Sequence, residues 1–348
     1  MMSNAPQQTR GESRVVCFGE LLLRLSPPGQ ELLLQSPHLD ARFGGAEANV
    51  AASLAILGHH SAVVSALPDN AIGHACAAEL RRHGVDTAGL RFANGRMGVY
   101  FIAPGAMQRP TEVVYDRAGS VFACTAATAH DWPRLLDGAR WLHLSGINLA
   151  LGDASAQSAL TAVRGARDAR VSVSFDCNYR SKLWGTRAAQ APALLREVLA
   201  EAELVFGNER DIALILGATF DQGDAQQRFR AAAELAFATF PRLRLMAATD
   251  RRHLDVDTHD LSGLLATREQ VLTTRTHRLA RIVDRIGGGD AFAAGLLHGL
   301  LRDMGEQDAL DFAIAAASLK HSVLGDVNLL READMLALLA QEGFEVRR

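Results

Sequence analysis

The stretch Arg281-Ile-Val-Asp-Arg-Ile-Gly-Gly-Gly-Asp290-Ala-Phe-Ala-Ala-Gly-Leu-Leu297 governs how the rest of the chain is read. Three consecutive glycines end in an aspartate, and an apolar run with helical spacing follows at once. Glycines at a helix entrance let the backbone turn its N–H groups inward, and the orphan amides and the helix dipole both favour negative charge there. Gly287, Gly288 and Gly289 would form such an anion hole. Asp290 would stand beside it, placed to take a proton from a hydroxyl that attacks a bound phosphoryl group. A glycine turn with Asp290 as an ordinary helix cap accounts for these residues equally well. A P-loop is excluded, because no Lys-Ser or Lys-Thr follows the glycines.

Outward from this segment, short β-branched or aromatic runs recur and predict strands at 15–18, 62–66, 141–145, 171–175, 204–206 and 243–248. Between them the spacing predicts helices at 48–57, 71–83, 157–169, 187–200, 211–216 and 226–240. Strands alternating with helices imply an α/β fold, a mostly parallel sheet covered by helices on both faces. Apolar runs such as Ala62-Val-Val-Ser-Ala66 suit strands buried on both sides. Two regions break the rhythm. Residues 21–35 carry leucine-rich runs around Pro27-Pro28-Gly29-Gln30, and residues 95–116 carry strand-like runs at 98–103 and 111–115 around Pro104-Gly105. No helix separates the members of either pair, so both read as antiparallel hairpins. Together they predict a small β appendage, split in sequence across about 21–45 and 95–117, that projects from an α/β body spanning 14–348 and acts as a lid. Residues 1–13 are polar, without the apolar core of a signal peptide, and read as a frayed tail.

With 348 residues, and about 150 per domain as a guide, the chain has room for one large domain and an appendage. The hydrophobic fraction is 48% and the charged fraction 22%, which excludes a disordered chain. A net charge of −3 and only 6% aromatic residues argue against nucleic acid as a partner. No run of about 18 apolar residues is present to span a membrane. Cys17, Cys76, Cys124 and Cys177 form no C-x-x-C pair, so the expectation is reduced, mostly buried thiols in a cytoplasmic protein. His59, His60 and His298 have no metal-ligand spacing and read as structural or surface residues.

A second glycine segment is Phe43-Gly-Gly-Ala-Glu-Ala-Asn49-Val-Ala-Ala-Ser-Leu-Ala-Ile-Leu-Gly58. Gly44 and Gly45 allow close approach to a small polar ligand, and Asn49 offers both a donor and an acceptor. A plain helix start explains the segment too. Taken together and in this order, the two segments resemble the signatures of the ribokinase-like (PfkB) carbohydrate kinases, a resemblance that runs from about Val15 to Leu339. It implies a ribokinase-like fold with sugar at Gly44, Gly45 and Asn49, ATP across Gly287 to Gly289, Asp290 as catalytic base, and a β lid over the sugar.

Further segments resemble the 2-keto-3-deoxygluconate kinase branch: Gly19-Glu20 to Gly29, Tyr115-Asp-Arg117-Ala-Gly-Ser120, Asp176-Cys-Asn178-Tyr-Arg180-Ser-Lys-Leu-Trp184, and Lys320-His-Ser-Val-Leu-Gly325-Asp-Val-Asn328. Arg285 is similar to that branch as well. The resemblance implies ATP-dependent phosphorylation of 2-keto-3-deoxy-D-gluconate at its terminal hydroxyl. A sugar acid carries a carboxylate, which calls for cations and hydroxyls, best a guanidinium fork. Arg180 after the 171–175 strand and Arg117 on the lid are the candidates, with Tyr100, Tyr115 and Asn178 adding polar contacts. A solvated surface charge is the alternative for each arginine. Asn208-Glu-Arg-Asp211 resembles the family's Asn-x-x-Glu motif, with Asp211 in the place of Glu. That implies Mg2+ reached through water, although a helix cap explains the residues about as well. On the nucleotide side the implied contacts are Asn208, Thr249, Lys320 and Asn328. Around Thr249 the family's glycine is absent. Dependence on a monovalent cation stays open, and an exposed lid edge suggests a homo-oligomer formed through the lid.

Rival readings remain. Another PfkB-type sugar kinase, for fructose, ribose or 2-keto-3-deoxygalactonate, fits the same motifs. A catalytically dead sugar-acid-binding regulator has no need of the intact Gly-Gly-Gly-Asp. A nicotinamide dehydrogenase fails because no G-x-G-x-x-G follows the first strand.

Overall fold

In the computed structural model the described residues run from 14 to 340, so the predicted frayed tail at 1–13 lies outside them. Runs such as Ser-Ala-Val-Val-Ser-Ala-Leu-Pro, buried at every position, pair into a ten-stranded sheet. Its strands are β1 (Arg14–Phe18), β4 (Ser61–Pro68), β5 (Asp86–Ala93), β8 (Ala139–Ser145), β9 (Ser172–Asp176), β10 (Leu204–Phe206), β11 (Leu245–His253), β12 (His259–Ala266), β13 (Val271–Thr273) and β14 (His277–Leu279). The order is β13-β12-β11-β10-β9-β8-β1-β4-β5, with β14 on β12. From β5 to β11 every pair is parallel, while β12, β13 and β14 add an antiparallel edge that the sequence reading did not anticipate.

Alternate residues of the central strands feed two apolar layers. Val16, Phe18, Leu144 and Phe175 pack on one face with the helices Asp153–Ala169 and Ala191–Leu199. Val15, Cys17, Val63 and Phe206 pack on the other with Ala46–Ile56, Gly288–Leu301 and Glu306–Lys320. Burial of both faces is what permits parallel strands with little polar alternation. The cysteines are free, three of them buried and Cys124 exposed.

A separate four-stranded sheet has the order β3-β2-β6-β7, where β2 is Leu22–Ser26, β3 Asp40–Gly44, β6 Gly98–Ala103 and β7 Glu112–Asp116. The second predicted hairpin is present as β6 antiparallel to β7. The first needs correction: β2 pairs not with 31–35 but with β3, nine residues further along the chain, in register Leu22↔Gly44 to Ser26↔Asp40. Leu34 has φ of 62° and is exposed, a backbone that a leucine in a strand does not adopt. The segment 31–35 therefore forms a turn, and β2 gains its other neighbour by pairing in parallel with β6.

β1 turns one way to β4 and the other way to β8, so the sheet has its topological switch point beside β1. Ligands of open α/β sheets bind outside the carboxyl ends of the strands at such a point. The small sheet leaves β1 through Gly19-Glu20 and overhangs the same edge.

Candidate active site

A cleft of about 590 Å³ opens between that edge and the small sheet. The carboxyl ends of β9 and β10 contribute Asp176 and Phe206, the middle of β11 contributes Thr249, the small sheet and the residue after β7 contribute Tyr100, Tyr115 and Arg117, and the helix Gly288–Leu301 contributes its N-terminus. Most of the residues singled out in the sequence meet here: Gly45, Asn49, Asn178, Arg180, Asn208, Asp211, Gly287, Gly288, Gly289 and Asp290 all line it.

The glycine turn has a distinct job at each position. Gly287 caps the helix at φ 79°, and a Cβ there would lie 1.8 Å from the carbonyl oxygen of Asp326. Only glycine fits both the left-handed backbone and the contact. A Cβ on Gly289, by contrast, would meet nothing within 4 Å, so open space faces the helix entrance. Ala291 makes the first intrahelical bond, to Gly287 O at 2.9 Å. The amides of Gly288, Gly289 and Asp290 precede it and have no partner inside the helix.

Asp290 sits half-buried in the first turn of that helix. Burial raises its pKa to about 6, while the Asn49 side chain pulls the other way. Asn49 Nδ2 donates to Asp290 Oδ2 at 2.7 Å, bridging the two glycine segments across 241 positions of sequence. Asn49 Oδ1 is buried without a partner, an acceptor available to a ligand hydroxyl. Two more carboxyls in the cleft are raised by burial, Glu47 to about 7 and Asp176 to about 7. Glu47 accepts from the Ser145 hydroxyl at 2.6 Å.

The two candidate arginines differ. Arg117 is buried and its Nε donates to Glu20 Oε2 at 2.7 Å, with Nη2 on the same oxygen. Its charge is matched inside the protein by a residue the sequence reading did not select. Arg180 is exposed at the cleft, and its Nε donates to Asn178 Oδ1 at 2.9 Å. Asn178 has φ of 38° and is held by Asp176, which accepts from its backbone N–H at 3.0 Å and from its side chain at 3.3 Å. The chain Asp176, Asn178, Arg180 thus orients a guanidinium that has no carboxylate within 4.0 Å among the described residues.

Tyr100 lines the cleft, but its hydroxyl donates to Asp326. Tyr115 stays 56% exposed, with the Arg117 guanidinium 5.6 Å from its ring centre. Asn208 and Asp211 form a capping box: Asn208 Oδ1 accepts from the Arg210 N–H at 2.8 Å, and Asp211 Oδ2 accepts from the Asn208 N–H at 2.9 Å. Three expected contacts fall outside the cleft lining. Gly44 packs beneath Asp326, whose Oδ2 lies 2.1 Å from where a Cβ would be. Lys320 is fully buried, its ammonium donating to Val323 O at 3.1 Å. Asn328 is buried with Oδ1 accepting from the Leu330 N–H at 3.2 Å. Gly44 ends β3, while Lys320 and Asn328 flank the loop whose Asp326 carbonyl packs against Gly287.

The sequence reading missed the buried group that joins these parts. Arg24 of β2, only 1% exposed, reaches Asp284 Oδ2 and Asp326 Oδ1, each at 2.7 Å. Asp284 also accepts from the Ile286 and Gly325 N–H groups, both at 3.0 Å. Arg24 therefore ties the small sheet to the loops on both sides of the glycine turn. Among the described residues no three His, Cys, Asp or Glu side chains come together as a metal cage.

A model of the pfkB family carbohydrate kinases matches residues 12–239 and 263–333. A 2-dehydro-3-deoxygalactonokinase of Haloferax volcanii is 33% identical over 320 residues, covering 90% of this chain and 93% of its own. Fructokinase-1 of Oryza sativa subsp. japonica is 26% identical over 336 residues, covering 93% of this chain and 97% of its own. The crystal structure of a 2-dehydro-3-deoxygluconokinase from Thermotoga maritima superposes with a TM-score of 0.90 at 36% identity, covering 94% of this chain and 99% of that one. The family match takes in both glycine segments, Asp290 and the strands that carry them, and the chain belongs to the pfkB family of carbohydrate kinases.

Proposed function

We propose that this sugar kinase transfers the γ-phosphoryl group of ATP to the terminal hydroxyl of a 2-keto-3-deoxy sugar acid, with 2-keto-3-deoxygluconate, giving its 6-phosphate, as the first candidate and the galactonate epimer as the second. The observation that carries the acid is Arg180, an oriented guanidinium without a carboxylate partner on the wall of the cleft that holds Asp290. A fructokinase is the second reading, favoured by the 26% identical rice relative. A neutral sugar offers no charge for the Arg180 guanidinium to match.

In the reaction the sugar hydroxyl gives its proton to Asp290 as its oxygen bonds to the γ-phosphorus. The bond from that phosphorus to the bridging oxygen breaks, and ADP leaves with the electron pair. The amides of Gly288, Gly289 and Asp290 meet the charge on the transferring group. Asn49 holds Asp290 Oδ2 and offers Oδ1 to a sugar hydroxyl. Tyr115 closes over the sugar from the lid, with Arg117, held by Glu20, stacked behind its ring. Asp211 and Asp176 line the cleft as carboxylates that would hold a nucleotide-bound Mg2+ through water, and the ion would offset phosphate charge.

Removing Arg180 tests the substrate. Loss of a charge-assisted contact costs about 1.5–3 kcal/mol, or roughly ten- to hundredfold in kcat/KM. Arg180→Ala should impose that loss on 2-keto-3-deoxygluconate and much less on fructose, narrowing the preference for the acid. An equal loss on both substrates, or a wild type that prefers fructose, would overturn the sugar-acid reading.

Asn49 gives a pH signature. Its N–H bond favours the charged form of Asp290, whose pKa of about 6 is raised by burial. kcat/KM should therefore fall as pH drops through about 6. In Asn49→Ala the carboxyl loses that bond and its pKa rises further, so the acid limb moves to higher pH and the deficit is larger at pH 6 than at pH 8. A uniform deficit at every pH would confine Asn49 to binding.

A further inference from the structure

Arginines buried in or behind the cleft are neutralised where their role is structural: Arg24 by Asp284 and Asp326, Arg117 by Glu20. Arg251 and Arg285 are different. Both line the cleft and both are half-buried, yet among the described residues neither has a carboxylate within 4.0 Å. Arg251 projects from β11, where pairing with β12 sets it opposite Leu261, and its neighbour Arg252 faces solvent. A Cβ on Gly288 would lie 3.6 Å from Arg251 Nη2, which puts the guanidinium against the helix entrance.

His321 adds an independent observation at the same spot. It is 2% exposed, and its Nδ1 donates to Ala317 O at 2.6 Å. Its Nε2 has no partner and lies 3.4 Å from the same Cβ position on Gly288. Burial and the Arg285 charge push the Arg251 pKa down, and the Arg251 charge pushes down those of His253, His259 and His321. Two desolvated cations in one cleft wall oppose folding unless an anion joins them.

We propose that Arg251, with Arg285 beside it, forms a cationic subsite that holds the phosphate chain of the nucleotide donor against the turn 287–289. This rests on the reading of the chain as a nucleotide-dependent kinase. The turn's amides are neutral donors suited to the transferring group. The two guanidinium forks supply the charge that a polyphosphate requires and that a monophosphate ester would satisfy less well. Arg251 is thereby a determinant of the donor, separate from Arg180 on the substrate side.

The test is equilibrium binding of ADP and of inorganic tripolyphosphate to the full chain, followed by calorimetry at two salt concentrations. Arg251→Gln should weaken both about ten- to hundredfold, the loss of one charge-assisted contact, and flatten the salt dependence. Arg252→Gln on the solvent side of the same strand should bind both ligands as wild type does, and sugar-acid binding without nucleotide should be the same in all three proteins. Without ligand, Arg251→Gln should melt no lower than wild type, because it removes an unpaired cation. If Arg251→Gln keeps wild-type affinity for both anions, the subsite is refuted while the kinase reading stands. If wild type itself binds neither ADP nor tripolyphosphate, the nucleotide reading falls and the subsite with it.

Discussion

Asp290→Asn is expected to lower turnover about 10²–10⁴-fold, the usual loss when a positioned general base is removed, while sugar acid and ADP still bind. Asparagine keeps the shape of the first turn and can still meet Asn49, which holds Asp290 Oδ2 at 2.7 Å. What it cannot do is accept a proton from the attacking hydroxyl. Pre-steady-state and steady-state turnover with binding measured separately decide the matter. Near-normal turnover would remove Asp290 from the role of base, and lost binding with lost turnover would make it a structural cap.

The same substitution should change stability in the opposite direction. The folded-state pKa of Asp290 is about 6 against an ordinary 3.8, so the folded protein binds more protons than the unfolded chain between those values. Its contribution is most favourable below about pH 4 and is lost as pH rises through 6. At pH 8 the ionised carboxylate opposes folding, and Asp290→Asn should melt above wild type. The advantage should shrink as pH falls through 6. Glu47 and Asp176, each raised to about 7 by burial, act in the same sense on the unliganded protein. A site that holds several desolvated carboxyls trades stability for chemistry.

What could be read in advance was local. The glycine turn, the helix behind it and the parallel strands announce themselves through turn chemistry and period, and the cleft does gather Asp290, Asn49, Arg180 and the glycines. The failures are all long-range. The partner of β2 was placed at 31–35, because leucine-rich runs flank the Pro27–Gln30 turn with no helix between them, whereas its partner β3 lies at 40–44, past a turn that the run of leucines does not announce. Strands β13 and β14 have three residues each, too short for a period to show. Arg117 read as a free cation because Glu20 lies 97 positions away. Lys320 and Asn328, placed by resemblance on the nucleotide, are buried and bonded to Val323 O and the Leu330 N–H. No spacing rule marks a buried ion pair whose members meet only after the sheets have packed.

Arg24 is the sharpest instance, and replacing it by methionine should produce the largest loss of stability. Burial alone would push its guanidinium pKa down, and the carboxylates of Asp284 and Asp326 more than reverse this. Methionine fills most of the volume but leaves two acids buried 5% and 3% exposed with no cation on them. Breaking a buried pair from one side costs about 3–5 kcal/mol, and the denaturation midpoint should fall accordingly. Acid should narrow the gap, since a protonated carboxyl no longer needs the cation. The loss should reach the site as well, because Asp326 carries both the Tyr100 hydroxyl and the carbonyl against Gly287. ADP affinity should therefore drop along with stability, even under conditions where the variant is fully folded. Arg24→Met with Asp284→Asn and Asp326→Asn removes the unmatched charges and should recover much of the stability, since the penalty lies in the stranded acids rather than in the missing arginine. If the single variant unfolds at the wild-type midpoint, or the triple variant is no better than the single, the tie between the small sheet and the glycine turn does not rest on this ion pair.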